Sequence, residues 1–168
     1  MRSHRTSTQR IRAFVLGASA ALLLFFGALG TAMASHYDLQ DVELLPEALR
    51  DSLIAEGVEN TEQLLMILLE RQGRIEFVAK SGLDAAAVEK LAQTLELMQI
   101  NGVGPKAATL LVLSGVNSVA ELAQADVDSL LSAVIAINME HAITGADPDR
   151  ENIEDWVTRA AQVKYQLR

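Results

Sequence analysis

Apolar residues recur at helical spacing along almost the whole chain after residue 42. Alternation with a period of two, which is typical of strands, is nearly absent, and alanine and leucine dominate the apolar positions. The clearest apolar face is formed by Val88, Leu91, Ala92, Leu95 and Met98. The pattern therefore predicts an all-α domain of about eight short helices.

Capping and helix-breaking residues predict where these helices begin and end. The predicted N-caps are Asn60, Asp84, Ser118 and Asp126. Gln63 and Glu121 stand at the position that completes a capping box. The predicted C-terminal stops are Gly57, Gly82 and Gly115. The Asp147-Pro148 pair is expected to start the last helix.

A tight turn with two glycines joins two of the predicted helices, in the run Ile100-Asn101-Gly102-Val103-Gly104-Pro105-Lys106-Ala107-Ala108. Gly102 and Gly104 allow the backbone to approach an anionic oxygen, and Lys106 adds a charge. The candidate DNA-phosphate-binding residues are Gly102, Val103, Gly104, Lys106 and Ala107. The alternative is that the same turn packs two helices closely and holds no ligand.

Two stretches of the chain match each other as a possible internal repeat. Leu53, Gly57, Val58 and Leu64 match Leu111, Gly115, Val116 and Leu122. Upstream, Leu44–Ala48 falls opposite Gly102–Lys106 but has neither the glycines nor the lysine. We therefore expect residues 42–168 to form two related halves, a degenerate one over 42–99 and one with the turn over 100–168.

The N-terminal segment, over positions 1–34, has the composition of a signal peptide. Four arginines precede an uncharged apolar run from Ala13 to Ala34, which ends in the small-residue cleavage pattern Ala32-Met33-Ala34. An uncleaved membrane anchor is the alternative, because the run is long enough to span a bilayer. With cleavage, residues 35–41 become a flexible new N-terminus. Both alternatives place the folded part outside the cytoplasm, in the bacterial periplasm, with membrane attachment only if cleavage fails.

The charge of the chain disfavours DNA as a partner, and its composition excludes disulfide bonds. All 22 acidic residues but only 10 of the 14 basic residues follow Ala34, so residues 35–168 carry a formal charge of −12. A protein that grips DNA through many phosphates usually presents a basic face, which this composition does not favour. The chain has no cysteine, which excludes disulfides and fits a core held by packing alone.

No pattern in the chain favours catalysis, a cofactor or a metal. The sequence has no G-x-S-x-G, no Walker loop and no cysteine nucleophile. The acidic positions Asp147, Asp149 and Glu151 lack the glycine and the final glutamate of a calcium loop, and a helix start explains them. Trp156 shares an apolar helix face with Ile153 and is expected in the core.

Separated blocks of sequence, in order, resemble the domain-of-unknown-function family 4332. The blocks are Leu95–Pro105, Leu110–Ala123, Asn138 and Ile153–Val157. The resemblance runs from about Val42 to Val163 and implies an all-α, tandem helix-hairpin-helix fold. Members are often suspected of binding DNA, and the family has no established activity. The segment between Ile135 and Asp149 carries little basic charge here, where members tend to be rich in lysine and arginine.

These observations predict an exported, non-enzymatic binding or assembly module. Its expected partner is another protein or a second copy of the chain. The alternative is weak, non-specific binding of double-stranded DNA through the helix-hairpin-helix turn.

Overall fold

The computed structural model describes residues 36–168, and this part of the chain is all-α. A short 3₁₀ turn is followed by eight α-helices, which confirms the predicted fold class. The turn is Leu39–Asp41, and the helices are α1 Glu47–Ala55, α2 Thr61–Leu68, α3 Arg71–Ser81, α4 Ala85–Leu97, α5 Pro105–Leu113, α6 Val119–Leu122, α7 Val127–His141 and α8 Arg150–Ala160. An isolated antiparallel bridge joins Asp38 to Asn60.

The predicted N-caps are confirmed by their hydrogen bonds. The side chains of Asn60, Asp84, Ser118 and Asp126 each accept a hydrogen bond from the backbone N–H three residues later. In the two predicted capping boxes, the returning side chain accepts a hydrogen bond from the residue before the N-cap and not from the N-cap itself. Gln63 accepts from the N–H of Glu59 at 2.6 Å, and Glu121 accepts from the N–H of Asn117 at 2.8 Å.

The last helix begins later than the sequence predicts. Its N-cap is Asp149, which forms a capping box with Asn152. The Asp147 carboxylate instead accepts a hydrogen bond from the side-chain amide of Asn138 at 2.7 Å. This bond ties Asp147 to α7, so the residue belongs to the loop between α7 and α8 and not to the helix start.

The C-terminal ends of α1 and α5 have the same backbone geometry. The N–H of Val58 donates to the Leu53 carbonyl at 2.9 Å, and the N–H of Val116 donates to the Leu111 carbonyl at 3.1 Å. Within each of these hydrogen-bonded segments a glycine has positive φ: Gly57 at +91° and Gly115 at +94°. The two turns that the predicted repeat pairs thus share a conformation, and the division of residues 42–168 into two related halves stays a prediction.

Helix α4 lies at the centre of the packing. It contacts α2 and α3 on the side of the first half and α5 on the side of the second. Helix α7 packs against both α5 and α8, and α6 also packs against α8. The largest fully buried side chains are Leu39, Leu64, Leu65, Leu68, Leu95, Leu97, Met98, Ile100, Leu110, Leu111, Leu122 and Ile153. One apolar core therefore runs through both halves.

The segment before α1 is packed, which differs from the flexible terminus expected over residues 35–41. Leu39 is fully buried, and its N–H donates to the Glu59 carbonyl at 2.8 Å. The N–H of Thr61 donates to the Tyr37 carbonyl at 2.9 Å. A buried leucine and paired backbone groups hold residues 36–41 against the start of α2.

The predicted signal peptide over residues 1–34 lies outside the described residues. Over residues 36–168, none of the helices combines the length and the apolar character needed to cross a membrane.

Candidate functional site

The glycine turn lies between α4 and α5 as predicted, but fewer of its backbone N–H groups are free to bind a phosphate than the sequence suggests. Gly102 has φ of +91°, a conformation that side chains rarely adopt. The N–H of Val103 donates to the Ile100 carbonyl at 2.9 Å, and the Val103 side chain is fully buried. Val103 is therefore a turn and core residue, and the structure removes it from the candidate donors to a phosphate.

Three other candidate residues stand at the N-terminus of α5. Gly104 is the N-cap, and the first intrahelical bond runs from the N–H of Ala108 to the Gly104 carbonyl at 2.9 Å. The N–H groups of Lys106 and Ala107 precede that bond and point out of the helix end. The Lys106 side chain is exposed. The geometry thus keeps a small set of donors that could meet an anion.

Helix α8 covers one side of the turn. A Cβ atom placed on Gly102 would lie 3.4 Å from Trp156 Nε1 and 3.5 Å from Arg159 Nη1. Arg159 Nη1 also donates to the Asn101 carbonyl at 2.9 Å, and its other terminal nitrogen pairs with Asp155 at 2.7 Å. Trp156 and Arg159 therefore lie in ordinary van der Waals contact with this side of the turn, while the φ of +91° is what favours glycine at position 102.

The packed segment before α1 covers a second side. A Cβ atom on Gly104 would lie 3.3 Å from the hydroxyl oxygen of Tyr37. Side chains of the chain itself thus lie against both glycines. This arrangement supports the alternative in which the turn serves helix packing.

An open cleft of about 510 Å³ adjoins the start of α5, and its charges are mixed. It is lined by Tyr37, Asp41, Val42, Glu43, Leu44, Pro105, Lys106, Thr109 and Ile143. An anion that approaches Lys106 here meets the carboxylates of Asp41 and Glu43, which repel it. The surroundings of the turn are therefore poorly suited to a polyphosphate chain.

A second cleft, of about 350 Å³, lies between α1 and α3. Leu53 and Phe77 are buried in its floor, while Ile67 is 39% exposed. Ser52, Glu56, Glu76 and Lys80 are among the polar residues that line it. We call this site the α1–α3 cleft.

The sequence predicts the helices of the α1–α3 cleft but not the gap between them. One signal of the arrangement is Gly73, where an added Cβ atom would lie 2.0 Å from the Ile67 carbonyl oxygen. That contact brings the start of α3 directly against the end of α2. The cleft then depends on the angle at which α3 leaves, which no local pattern specifies.

Glu96 is a buried carboxylate that no sequence pattern indicates. It is 1% exposed, and its Oε1 accepts a hydrogen bond from the N–H of Leu167 at 3.1 Å. Oε2 has no hydrogen-bond partner among the described residues. Burial raises the pKa of Glu96, an effect opposed by the N–H groups of Leu167 and Val119. Glu121 raises this pKa further, and Arg74 lowers it.

The remaining predicted positions have structural roles. Trp156 is 6% exposed, which confirms its place in the core. The carboxylates of Asp147 and Asp149 accept hydrogen bonds from Asn138 and from the start of α8. Over residues 36–168, no group of three or more histidine, cysteine, aspartate or glutamate side chains is arranged to hold a metal ion.

Comparison with known proteins gives one match. A search of curated proteins and a search of solved structures each found no similar protein. The model of the family described as Domain of unknown function (DUF4332) matches residues 45–163, which is most of the chain. This protein therefore belongs to the DUF4332 family of domains of unknown function.

Proposed function

We propose that the chain is an exported, non-enzymatic module that binds another protein through the α1–α3 cleft. Export is inferred from the arginine-rich start of the chain and from the apolar run that follows it up to Ala34. Protein binding is inferred from the open α1–α3 cleft, which combines apolar and charged residues.

The two halves differ at equivalent helices. In the second half α5 packs against α7. In the predicted repeat, α1 corresponds to α5 and α3 corresponds to α7. A cleft of about 350 Å³ nevertheless opens between α1 and α3. Its floor contains Leu53, whose match in the second half, Leu111, is fully buried. Leu53 is itself only 8% exposed, so the apolar surface that the cleft offers a partner comes mainly from Ile67, which is 39% exposed.

The charge around the α1–α3 cleft indicates the kind of partner. Glu56 and Glu76 line it together with a single base, Lys80, and residues 35–168 carry a formal charge of −12. A partner that complements this surface presents apolar side chains flanked by lysine or arginine. An amphipathic helix with a basic border has this chemistry and fits a groove between two helices.

The proposal predicts that a bulky side chain in the α1–α3 cleft prevents binding. Ser52 is exposed on α1 and lines the cleft, so Ser52→Phe fills it without changing a buried position. A phage-displayed library of helical peptides provides the probe. Selected peptides are expected to combine an apolar face with a basic border. Their affinity for Ser52→Phe, measured by fluorescence titration, should fall by about tenfold or more, equivalent to about 1.4 kcal/mol.

Ala48→Phe is the matched control, because Ala48 is exposed on the same helix and does not line the cleft. It should bind the selected peptides as the unmodified chain does. Selection of no helical peptide, or equal affinities of Ser52→Phe and Ala48→Phe, contradicts this function.

Non-specific binding of double-stranded DNA is the second candidate. It is supported by the outward N–H groups of Lys106 and Ala107 and by the exposed Lys106 side chain. Backbone donors to phosphate carry no base information, so such binding would not depend on sequence. The acidic Asp41 and Glu43 beside Lys106 make this candidate weaker than protein binding.

Anisotropy of a fluorescent duplex at low salt tests the second candidate. It predicts binding that weakens as salt is added and that is lost in Lys106→Glu. Lys90→Glu, an exposed charge reversal on α4, is the control and should leave the anisotropy curve unchanged. The absence of binding at low salt rejects the candidate.

A further inference from the structure

The C-terminal end of the chain, over residues 163–168, runs across the core as a strap held by hydrogen bonds. The side-chain amide of Gln99 pairs with both backbone groups of Tyr165: Gln99 Nε2 donates to the carbonyl at 2.6 Å, and the N–H donates to Gln99 Oε1 at 3.3 Å. Two residues later the N–H of Leu167 donates to Glu96 Oε1 at 3.1 Å. Two side chains at the end of α4 thus bind the strap through its backbone.

The far end of the strap is tied to the junction of α2 and α3. The N–H of Arg168 donates to the Leu69 carbonyl at 3.0 Å, and Arg74 Nη2 donates to the Arg168 carbonyl at 3.1 Å. Arg74 also forms an ion pair with Glu89 at 2.9 Å. Tyr165 and Leu167 also pack against the core, and Arg168 forms an ion pair with Glu70 at 3.5 Å. Among the hydrogen bonds that hold the strap, the one from Leu167 is to the buried carboxyl of Glu96.

The surroundings of Glu96 make its charge costly while the strap is in place. Its Oε2 is buried without a hydrogen-bond partner among the described residues. The charged groups that act on it are Glu121 of α6, which repels a negative charge, and Arg74 of α3, which is shared with Glu89 and Arg168. A carboxylate in this position lacks the full set of donors that normally stabilises a buried charge.

We propose that residues 163–168 form a proton-controlled strap, which is docked while Glu96 is neutral and released when Glu96 is ionised. In the docked state burial raises the pKa of Glu96, and this effect outweighs the opposing effect of the Leu167 and Val119 N–H groups. Release of the strap is expected to admit water and return that pKa toward its ordinary value. Docking is therefore coupled to proton uptake. The docked fraction is greatest below the ordinary pKa of a glutamate and is lost as the pH rises through the raised pKa.

Between those two pKa values, the ratio of docked to released strap falls by about tenfold for each pH unit. Release exposes the Glu96 carboxylate and the Gln99 amide at the end of α4. The pH of the compartment thus selects between two surfaces of the same domain, independently of what the α1–α3 cleft binds.

Backbone dynamics of the full chain test the strap directly. The heteronuclear ¹H–¹⁵N NOE of the Leu167 and Arg168 amides, recorded from acidic to mildly alkaline pH, should be high at low pH and should fall as the pH rises. In Glu96→Gln the side chain cannot ionise, so both NOEs should stay high throughout. Glu140→Gln changes an exposed glutamate on α7 and should keep the behaviour of the unmodified chain.

Constant NOEs in the unmodified chain, or an unchanged pH dependence in Glu96→Gln, overturn the proposal. Glu121→Gln provides an independent test that holds if Glu96→Gln does not fold. It removes the like charge that raises the pKa of Glu96, so the midpoint of release should move to lower pH. A midpoint that stays in place or moves upward contradicts the proposal.

Discussion

Replacement of Trp156 by alanine is expected to lower the free energy of unfolding by about 3–5 kcal/mol. Trp156 is 6% exposed and shares the buried face of α8 with Ile153 and Ala160. Its indole also lies against Gly102, so the substitution opens a cavity between α8 and the glycine turn. Urea unfolding followed by circular dichroism measures the loss.

Met139→Ala is the control for Trp156→Ala. Met139 is 79% exposed on α7, so its truncation should change the free energy of unfolding by no more than about 0.5 kcal/mol. Even partial burial of a tryptophan contributes more than about 1 kcal/mol to the free energy of unfolding. A smaller loss for Trp156→Ala would therefore show that Trp156 does not pack between α8 and the glycine turn.

Gly102→Val is expected to produce the second large loss of stability, from two separate causes. The φ of +91° at residue 102 costs a side-chain-bearing residue about 1–2 kcal/mol. The branched valine must in addition find space beside Trp156 and Arg159, where a Cβ atom alone already lies 3.4 Å and 3.5 Å from the nearest nitrogens. The γ-methyl groups of valine extend beyond this Cβ atom and crowd the Trp156 indole and the Arg159 guanidinium, which adds about 1 kcal/mol to the loss at this exposed position.

Gly115→Val separates these two causes. Gly115 has nearly the same backbone conformation, with φ of +94°, but no atom lies within 4 Å of its added Cβ. It should lose only the backbone contribution, and Gly102→Val should lose more by the overpacking contribution. Equal losses of unfolding free energy in the two variants would contradict the contact between residue 102 and α8.

Helix type and most helix ends were predictable because local chemistry determines them, although the start of α8 was predicted two residues too early. Asp84 and Asp126 cap helices from their own side chains, and Gly82 ends α3 in the left-handed conformation that glycine favours. The position of Trp156 followed from the helical spacing of apolar residues on α8. In each case the signal lies within one or two helical turns of the residue concerned.

Features that depend on distant parts of the chain were not predictable in this way. The N–H of Val103 is used by a hydrogen bond within the turn and is therefore not free to bind a phosphate. Tyr37 reaches Gly104 from the segment that precedes α1, and Leu167 reaches Glu96 from the C-terminal end of the chain. The sequence around Glu96 shows only a glutamate between two leucines. Neither contact leaves a periodic or local pattern.

We propose that this domain binds partners through the α1–α3 cleft, while the glycine turn serves packing. The most direct test is a titration of the ¹⁵N-labelled chain with a selected helical peptide, followed by backbone amide chemical shifts. The account predicts that the largest shifts occur around Ser52, Leu53 and Phe77 and that residues 102–107 change little. Shifts concentrated at residues 102–107, with α1 and α3 unaffected, would contradict it.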